Sequence, residues 1–401
     1  MKKEVVVVPL LFLSAFLFAQ NRYDVVIDEV MADPSPTVSL PNNEWVELRN
    51  TAPNSINLQG WKIGDASGLS GNMPVYILKP DSFVIVCSSG SLAAMSAFGP
   101  CIAVTSFPSL DNDADQIILR AANGKTIHAV AYNTSWYRNE LKKDGGWTLE
   151  MIDPHLPCMS DDNWQASSDV KGGTPGKKNS VDGINHDEHA PQLKYTYAID
   201  SISLRAVFDE PLDSLKAATA ANYTVSNGLT VRAANCISPL FREVQLAMNT
   251  ALVHDSVYYL TANNITDCSG NAIGMQNTVK AGFASIPEQS DVVINEILFD
   301  PRSSAYDYIE IFNRSKKIID ASRLFLANRN SSNAISSIRQ ISTTPFYLFP
   351  SEYIVVTENL ESLELNYLVK DADAVVVIAS LPSFPDDAGD AVLINASGQI
   401  L

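Results

Sequence analysis

The chain has 401 residues, 46% hydrophobic and 18% charged, with a formal net charge of −17. That apolar content supplies real cores and excludes wholesale disorder. A polyanion is a poor partner for nucleic-acid phosphates, so no nucleic acid is expected as a ligand, and the charge serves solubility.

In chain order, Met1-Lys2-Lys3 is basic, Val5 to Phe18 is apolar apart from Pro9 and Ser14, and Ala19 precedes Gln20-Asn21-Arg22. This is the layout of a secretory signal peptide over residues 1–19, with cleavage after Ala19. The apolar run falls short of the roughly 20 residues of a bilayer span, and no later segment is apolar enough to cross. The mature protein is therefore expected to be secreted or at the cell surface, without a transmembrane segment. Export permits disulfides. The five cysteines include no Cys-x-x-Cys. Cys236 with Cys268 and Cys87 with Cys158 are the expected bridges, with Cys101 left over and buried thiols as the alternative.

Asp24-Val25-Val26-Ile27-Asp28-Glu29-Val30 recurs as Asp291-Val292-Val293-Ile294-Asn295-Glu296-Ile297. Glu44-Trp45-Val46-Glu47-Leu48-Arg49-Asn50 returns as Asp307-Tyr308-Ile309-Glu310-Ile311-Phe312-Asn313, and Ser106-Phe107-Pro108-Ser109 as Ser380-Leu381-Pro382-Ser383. The order is conserved between the copies, so the segments are duplicates. Their Val, Ile, Tyr and Phe content, bounded by Pro, Gly, Asn and Asp, reads as strands. Alternation puts Trp45 and Glu47 on one face and Val46 and Leu48 on the other. Short strands between turn signals predict an all-β fold of tandem sandwiches.

The entry strand, the Glu44–Asn50 block, Leu58-Gln59-Gly60-Trp61-Lys62-Ile63 and the exit Gly172-Gly173-Thr174-Pro175-Gly176 resemble the lamin tail domain, an immunoglobulin-like sandwich. The resemblance covers 22–181 and, with departures such as Leu324 for Trp61, 291–401. This second copy aligns with the first only as far as the Ala121–Ile127 hairpin, so it reads as incomplete, and the chain as a piece of a longer protein. Phe208-Asp209-Glu210-Pro211-Leu212 and Ile265-Thr266-Asp267-Cys268-Ser269-Gly270-Asn271 resemble the bacterial immunoglobulin-like domain of surface-layer proteins, over 191–285. Residues 182–190 and 286–290 read as linkers.

Glu29, Glu47, Glu296 and Glu310 recur in both copies. Paired carboxylates suit acid–base chemistry, but their strand positions in a duplicated module favour hydrogen bonding to neighbouring loops. Asp111, Asp113 and Asp115 alternate as in calcium loops, yet lack the bend glycine and the distal bidentate Glu, so no cofactor is expected, with calcium at these residues as the alternative; His186, Asp187, Glu188 and His189 could clamp a metal but read as solvated linker. Trp136 and Tyr137 lie in the polar stretch Asn133–Arg138 and are the expected exposed contact for a protein or glycan. Asp200-Ser201-Ile202, Asp213-Ser214-Leu215 and Asp255-Ser256-Val257 resemble a bacterial O-glycosylation tripeptide. No nucleophile elbow, zinc-protease motif or phosphate loop is present. The expectation is a non-enzymatic secreted or cell-surface protein for adhesion, binding or envelope organisation. The alternative is the accessory N-terminal region of a larger exported hydrolase, of nuclease or phosphatase type, with its catalytic domain beyond Leu401.

Overall fold

The structure is a computed structural model that describes residues 20–303, 305–385 and 387–401; the expected signal sequence lies outside them. The chain forms two compact units, Met1–Asn185 and His186–Leu401. Among the described residues no helix is long and apolar enough to cross a membrane.

The first unit contains β1 (Val25–Met31), β2 (Trp45–Asn50), β3 (Lys62–Gly64), β4 (Phe83–Ser88), β5 (Cys101–Val104), β6 (Ala114–Arg120), β7 (Thr126–Asn133), β8 (Leu149–Met151) and β9 (Trp164–Ala166). One sheet runs β9-β8-β1-β2-β4-β5 and a second β3-β6-β7. Val46 and Leu48 enter the core between them with Ile27, Trp61, Ile117 and Ile127. Trp45 points the other way, into a smaller cluster with Met31, Ile85, Cys87 and Met95. Alternation along β2 thus fills two apolar layers, one inside the sandwich and one on the outer face of the larger sheet. β2 ends where the Asn50 amide donates to the carbonyls of Leu78 and Asn54, both at 2.9 Å.

The second unit begins with β10 (Leu193–Asp200), β11 (Ser203–Phe208), β12 (Tyr223–Val225), β13 (Val231–Ile237), β14 (Glu243–Met248), β15 (Tyr258–Ala262) and β16 (Thr278–Ala281). The sheets β10-β11-β14-β13 and β12-β15-β16 close over Leu204, Phe208, Tyr223, Leu246 and Leu260. It continues with β17 (Val292–Leu298), β18 (Tyr308–Asn313), β19 (Leu324–Arg329), β20 (Ile335–Gln340), β21 (Tyr353–Thr357), β22 (Val375–Val377) and β23 (Val392–Asn395). Here β17-β18-β21-β22 and β20-β19-β23 enclose Val292, Ile309, Ile311, Leu326, Ile354 and Val356.

The duplicated segments pair alike. β1–β2 and β17–β18 are antiparallel with a register shift at the same place, setting Glu29 opposite Glu47 and Glu296 opposite Glu310. The next pairs, β4–β5 and β21–β22, are parallel in both copies. Asn313 ends its strand as Asn50 does, donating to Leu348 and Lys317 carbonyls at 2.9 and 2.8 Å. The copies differ at one edge. β8 lies beside β1, whereas β17 is the edge of its sheet among the described residues.

Candidate functional site

The recurring carboxylates of the first copy lie beneath a closing segment, residues 172–181, which crosses the outer face of the larger sheet. Glu29, Glu47 and Glu150 are all 0% exposed. Glu29 accepts from the Thr148 hydroxyl and the Thr174 amide, both at 2.7 Å. The Thr174 hydroxyl lies between Glu150, at 2.9 Å, and Glu29, at 3.2 Å. Glu150 also accepts from the Ser180 hydroxyl at 2.7 Å and the Val181 amide at 3.1 Å, and the Gly176 amide donates to Glu47. The approach is close enough to require glycine: a Cβ on Gly173 would sit 2.8 Å from Thr148 Cγ2 and 2.9 Å from Glu29 Oε1.

Burial, reinforced by neighbouring carboxylates, holds Glu29 and Glu47 well above the ordinary carboxyl range. Asp28, also 0% exposed, is pushed up to about 7 by burial, against the pull of Arg49. Neither of its carboxyl oxygens has a hydrogen-bond partner among the described residues. Arg49 turns instead to Asp81 and Asp182, at 2.8 and 2.9 Å. On the far side of β1, His128 accepts from the Ile27 amide at 2.9 Å and its other ring nitrogen lies 3.0 Å from the Pro157 carbonyl. Burial lowers it to about 4, so it is neutral. Together these groups form a hydrogen-bonded clamp between chain segments. A substrate has no access to the Glu29–Glu47 pair in this closed arrangement.

The other candidates are placed differently from expectation. Asp111 and Asp113 are exposed in the turn before β6. Asp115 is spent on the backbone, accepting from Asp111 and Gln116 amides at 3.2 and 2.6 Å. The three are not brought into one ligand cluster. Trp136 and Tyr137 are not an exposed contact: they are 6% and 3% exposed and belong to the main core. The Asn133 side chain caps a short 3-10 turn, Thr134–Tyr137, through the Ser135 amide. That turn points both rings inward, with Trp136 6.1 Å from Trp164. The expected bridges are also corrected. Cys87 and Cys236 are thiols. Cys87 lies 3.5 Å from Cys101, because β4 and β5 are neighbouring strands, and Cys236 faces the Phe241 carbonyl at 3.7 Å. Cys158 is buried in the loop after β8, beside Pro157, and Cys268 is half-buried in the turn after Asp267. Asp200 and Asp213 accept from Ile202 and Leu215 amides, both at 2.8 Å. Each of these Asp side chains thus caps its own turn.

Two features escaped the sequence reading. Asp187, Glu210 and Asp267 bring carboxylate oxygens within 4.8 Å of one another. Burial, then Asp267 and Asp187, raises Glu210 to about 8, so it keeps its proton at neutral pH. The donor set is all oxygen, the kind calcium takes, but three carboxylates fall short of its usual six to eight ligands. The other feature is a cleft of about 370 Å³, lined by Pro34, Asn42, Asn43, Glu44, Ser88, Ser91, Phe107, Pro108 and Ser109. Glu44 there accepts from the Leu110 amide at 3.1 Å and is raised by its partial burial. The cleft gathers pieces of two blocks that had stood out only as repeats, Glu44 from one and Phe107, Pro108 and Ser109 from the other.

No curated protein matches the chain. Among solved structures, it is similar to the N-terminal part of the bacterial S-layer protein SbsC at 14% identity and TM-score 0.22, covering 41% of this chain and 45% of that one. The S-layer protein rSbsC(31-844) gives 11% identity and TM-score 0.23, covering 42% and 32%. The chain thus spans less than half the length of either. The Lamin Tail Domain family matches residues 19–134, from the approach to β1 to the end of β7.

Proposed function

We propose that this is a non-catalytic, exported surface protein whose sandwich modules act as scaffolds for binding, adhesion or envelope organisation, with recognition carried by loop ends. The observation that carries this reading is the fate of the recurring carboxylates. In the first copy they are wholly buried and occupied by the chain's own Thr174–Val181 segment. They hold the module shut, and an accessible cleft lies at the loop ends around Glu44 and Phe107. The layout of residues 1–19 and the Lamin Tail Domain match support the same reading.

The test is surface proteolysis of intact cells producing the tagged chain, together with phosphatase and nuclease assays on purified 20–401. The expected result is a protein digested from outside and no turnover. Protection from external protease, or turnover abolished by Glu47→Gln or Glu310→Gln, would overturn the reading.

A further inference from the structure

Cys87 and Cys101 bring two sulfur atoms to 3.5 Å in the outer apolar layer of the larger sheet. The strands that carry them set this up. β4 and β5 run parallel, with Ile85 opposite Cys101 and Cys87 opposite Ala103. Residues two apart share a face, so the two cysteines are diagonal neighbours on the face that also carries Ile85. They differ in access: Cys87 is buried and Cys101 is half-buried. The second copy builds the same parallel pair without sulfur. There Val355 opposes Val375 and Thr357 opposes Val377, so Thr357 stands at the place of Cys87 and Val375 at the place of Cys101. The strand pair therefore packs without thiols, and the two cysteines are replaced together. The chain between them, from Ser88 to Pro100, gives Ser88 and Ser91 to the wall of the Glu44 cleft. The hydroxyls of these two serines lie 2.8 Å apart.

We propose that Cys87 and Cys101 join in a disulfide, made by exchange with a disulfide-class oxidant, which fastens β5 and that wall of the cleft to β4. The accessible Cys101 reacts first. Its thiolate attacks one sulfur of the oxidant, a mixed disulfide forms, and the other sulfur leaves as a thiolate that takes up the proton Cys101 lost. Cys87 then gives its proton to water and attacks Cys101 Sγ. The Cys87–Cys101 bond forms, the mixed disulfide breaks, and the second half of the oxidant leaves as a thiolate and is protonated. Two protein thiols are thus oxidised while one oxidant disulfide is reduced to two thiols. The hydrogen bond from Cys87, with another from Ser96, holds the Cys101 thiol below its ordinary range, whereas the same contact and burial raise Cys87. That favours Cys101 as the attacking sulfur. From their present separation the sulfurs close by about 1.5 Å to reach bonding distance. β5 is the edge of its sheet among the described residues, so its open side leaves it room to make that approach. The inference goes beyond the proposed function and holds whatever the cleft binds.

The test uses purified 20–401, reduced and then exposed, while folded, to oxidised glutathione. The reaction is quenched with acid, free thiols are alkylated, and the chain is digested with trypsin. Residues 63–120 leave as one peptide, because Lys79 precedes Pro80, and Cys87 and Cys101 are its only cysteines. That peptide is expected to be two hydrogens lighter than its reduced form and to take up no alkyl group. The oxidised protein is expected to melt about 5–10 °C above a Cys87→Ala, Cys101→Ala double variant treated alike. Single variants read the order of attack: Cys87→Ala should trap glutathione on Cys101 at least tenfold faster than Cys101→Ala traps it on Cys87. Circular dichroism is the folding control for the variants, and the peptide map of the parent protein needs none of them. Two thiols that both stay open to alkylation, or a bridge that forms only after urea has unfolded the chain, overturn the proposal. So does equal capture of glutathione by the two single variants.

Discussion

Asp28 is a carboxyl group held where a carboxylate is poorly solvated. Both oxygens are buried without a hydrogen-bond partner among the described residues, and its pKa rises from 3.8 to about 7. Between those values the unfolded chain has lost the proton and the folded chain keeps it. Stability contributed at this position therefore falls as pH rises through that window and stays lower above it. The second copy has Asn295 at the matching place, with its amide on Glu310 at 2.6 Å. Asp28→Asn is expected to stabilise the first unit by an amount that grows from pH 4 to pH 7 and then levels off. The upper bound is about 4 kcal/mol, from the cost of a unit shift. Thermal melts of both proteins across that range check it; a constant difference would contradict it. Glu210, raised to about 8, works in the same direction: Glu210→Gln should flatten the fall in stability of the second unit between pH 4.5 and 8. A gap between variant and parent that does not widen with pH would count against that.

At the scale of elements, the short turn Thr134–Tyr137 matters more than its polar sequence suggests. It carries Trp136 and Tyr137 into the core, against β9. Trp136→Ala should cost about 3–5 kcal/mol, the range for a buried aromatic. Denaturant unfolding would show this as a lower midpoint; a stable variant that had merely lost a ligand would return these residues to the surface. The strands were legible in the sequence because alternation, aromatic content and bounding Asn or Pro all agree in the duplicated blocks. The turn was not, because Asn, Thr, Ser and Arg describe an exposed loop as readily as a capped one. Cysteine positions were equally uninformative about pairing. Thiol proximity follows from which strands become neighbours, and β4 beside β5 brings Cys87 to Cys101.

At the scale of the molecule, the first unit keeps its own core, and the second joins two cores through specific polar contacts. The Tyr347 hydroxyl accepts from the Ala198 amide at 3.0 Å, and Asp255 accepts from the Ile318 amide at 2.9 Å. Lys280 and Glu352 pair across the same boundary. Asp255→Ala with Tyr347→Phe should lower the stability of residues 186–401 by about 1–3 kcal/mol in total, since each change removes a hydrogen bond worth about 0.5–1.5 kcal/mol. Calorimetry on that unit reads the coupling, and an unchanged melting profile would mean that the two sandwiches unfold independently.

The linear order of residues was enough to establish the all-β class, the duplication and the entry strands, because period-two burial is a local pattern written directly into side-chain order. It also singled out Glu29 and Glu47 as structural acceptors, since their positions recur with the strands that bear them. What reaches those carboxylates and how Asp187 meets Glu210 and Asp267 were decided by the tertiary structure alone. Each depends on residues far apart in the chain being brought within a few ångströms, and on water being excluded once they meet. Neither distance nor solvation is encoded in any short stretch of sequence.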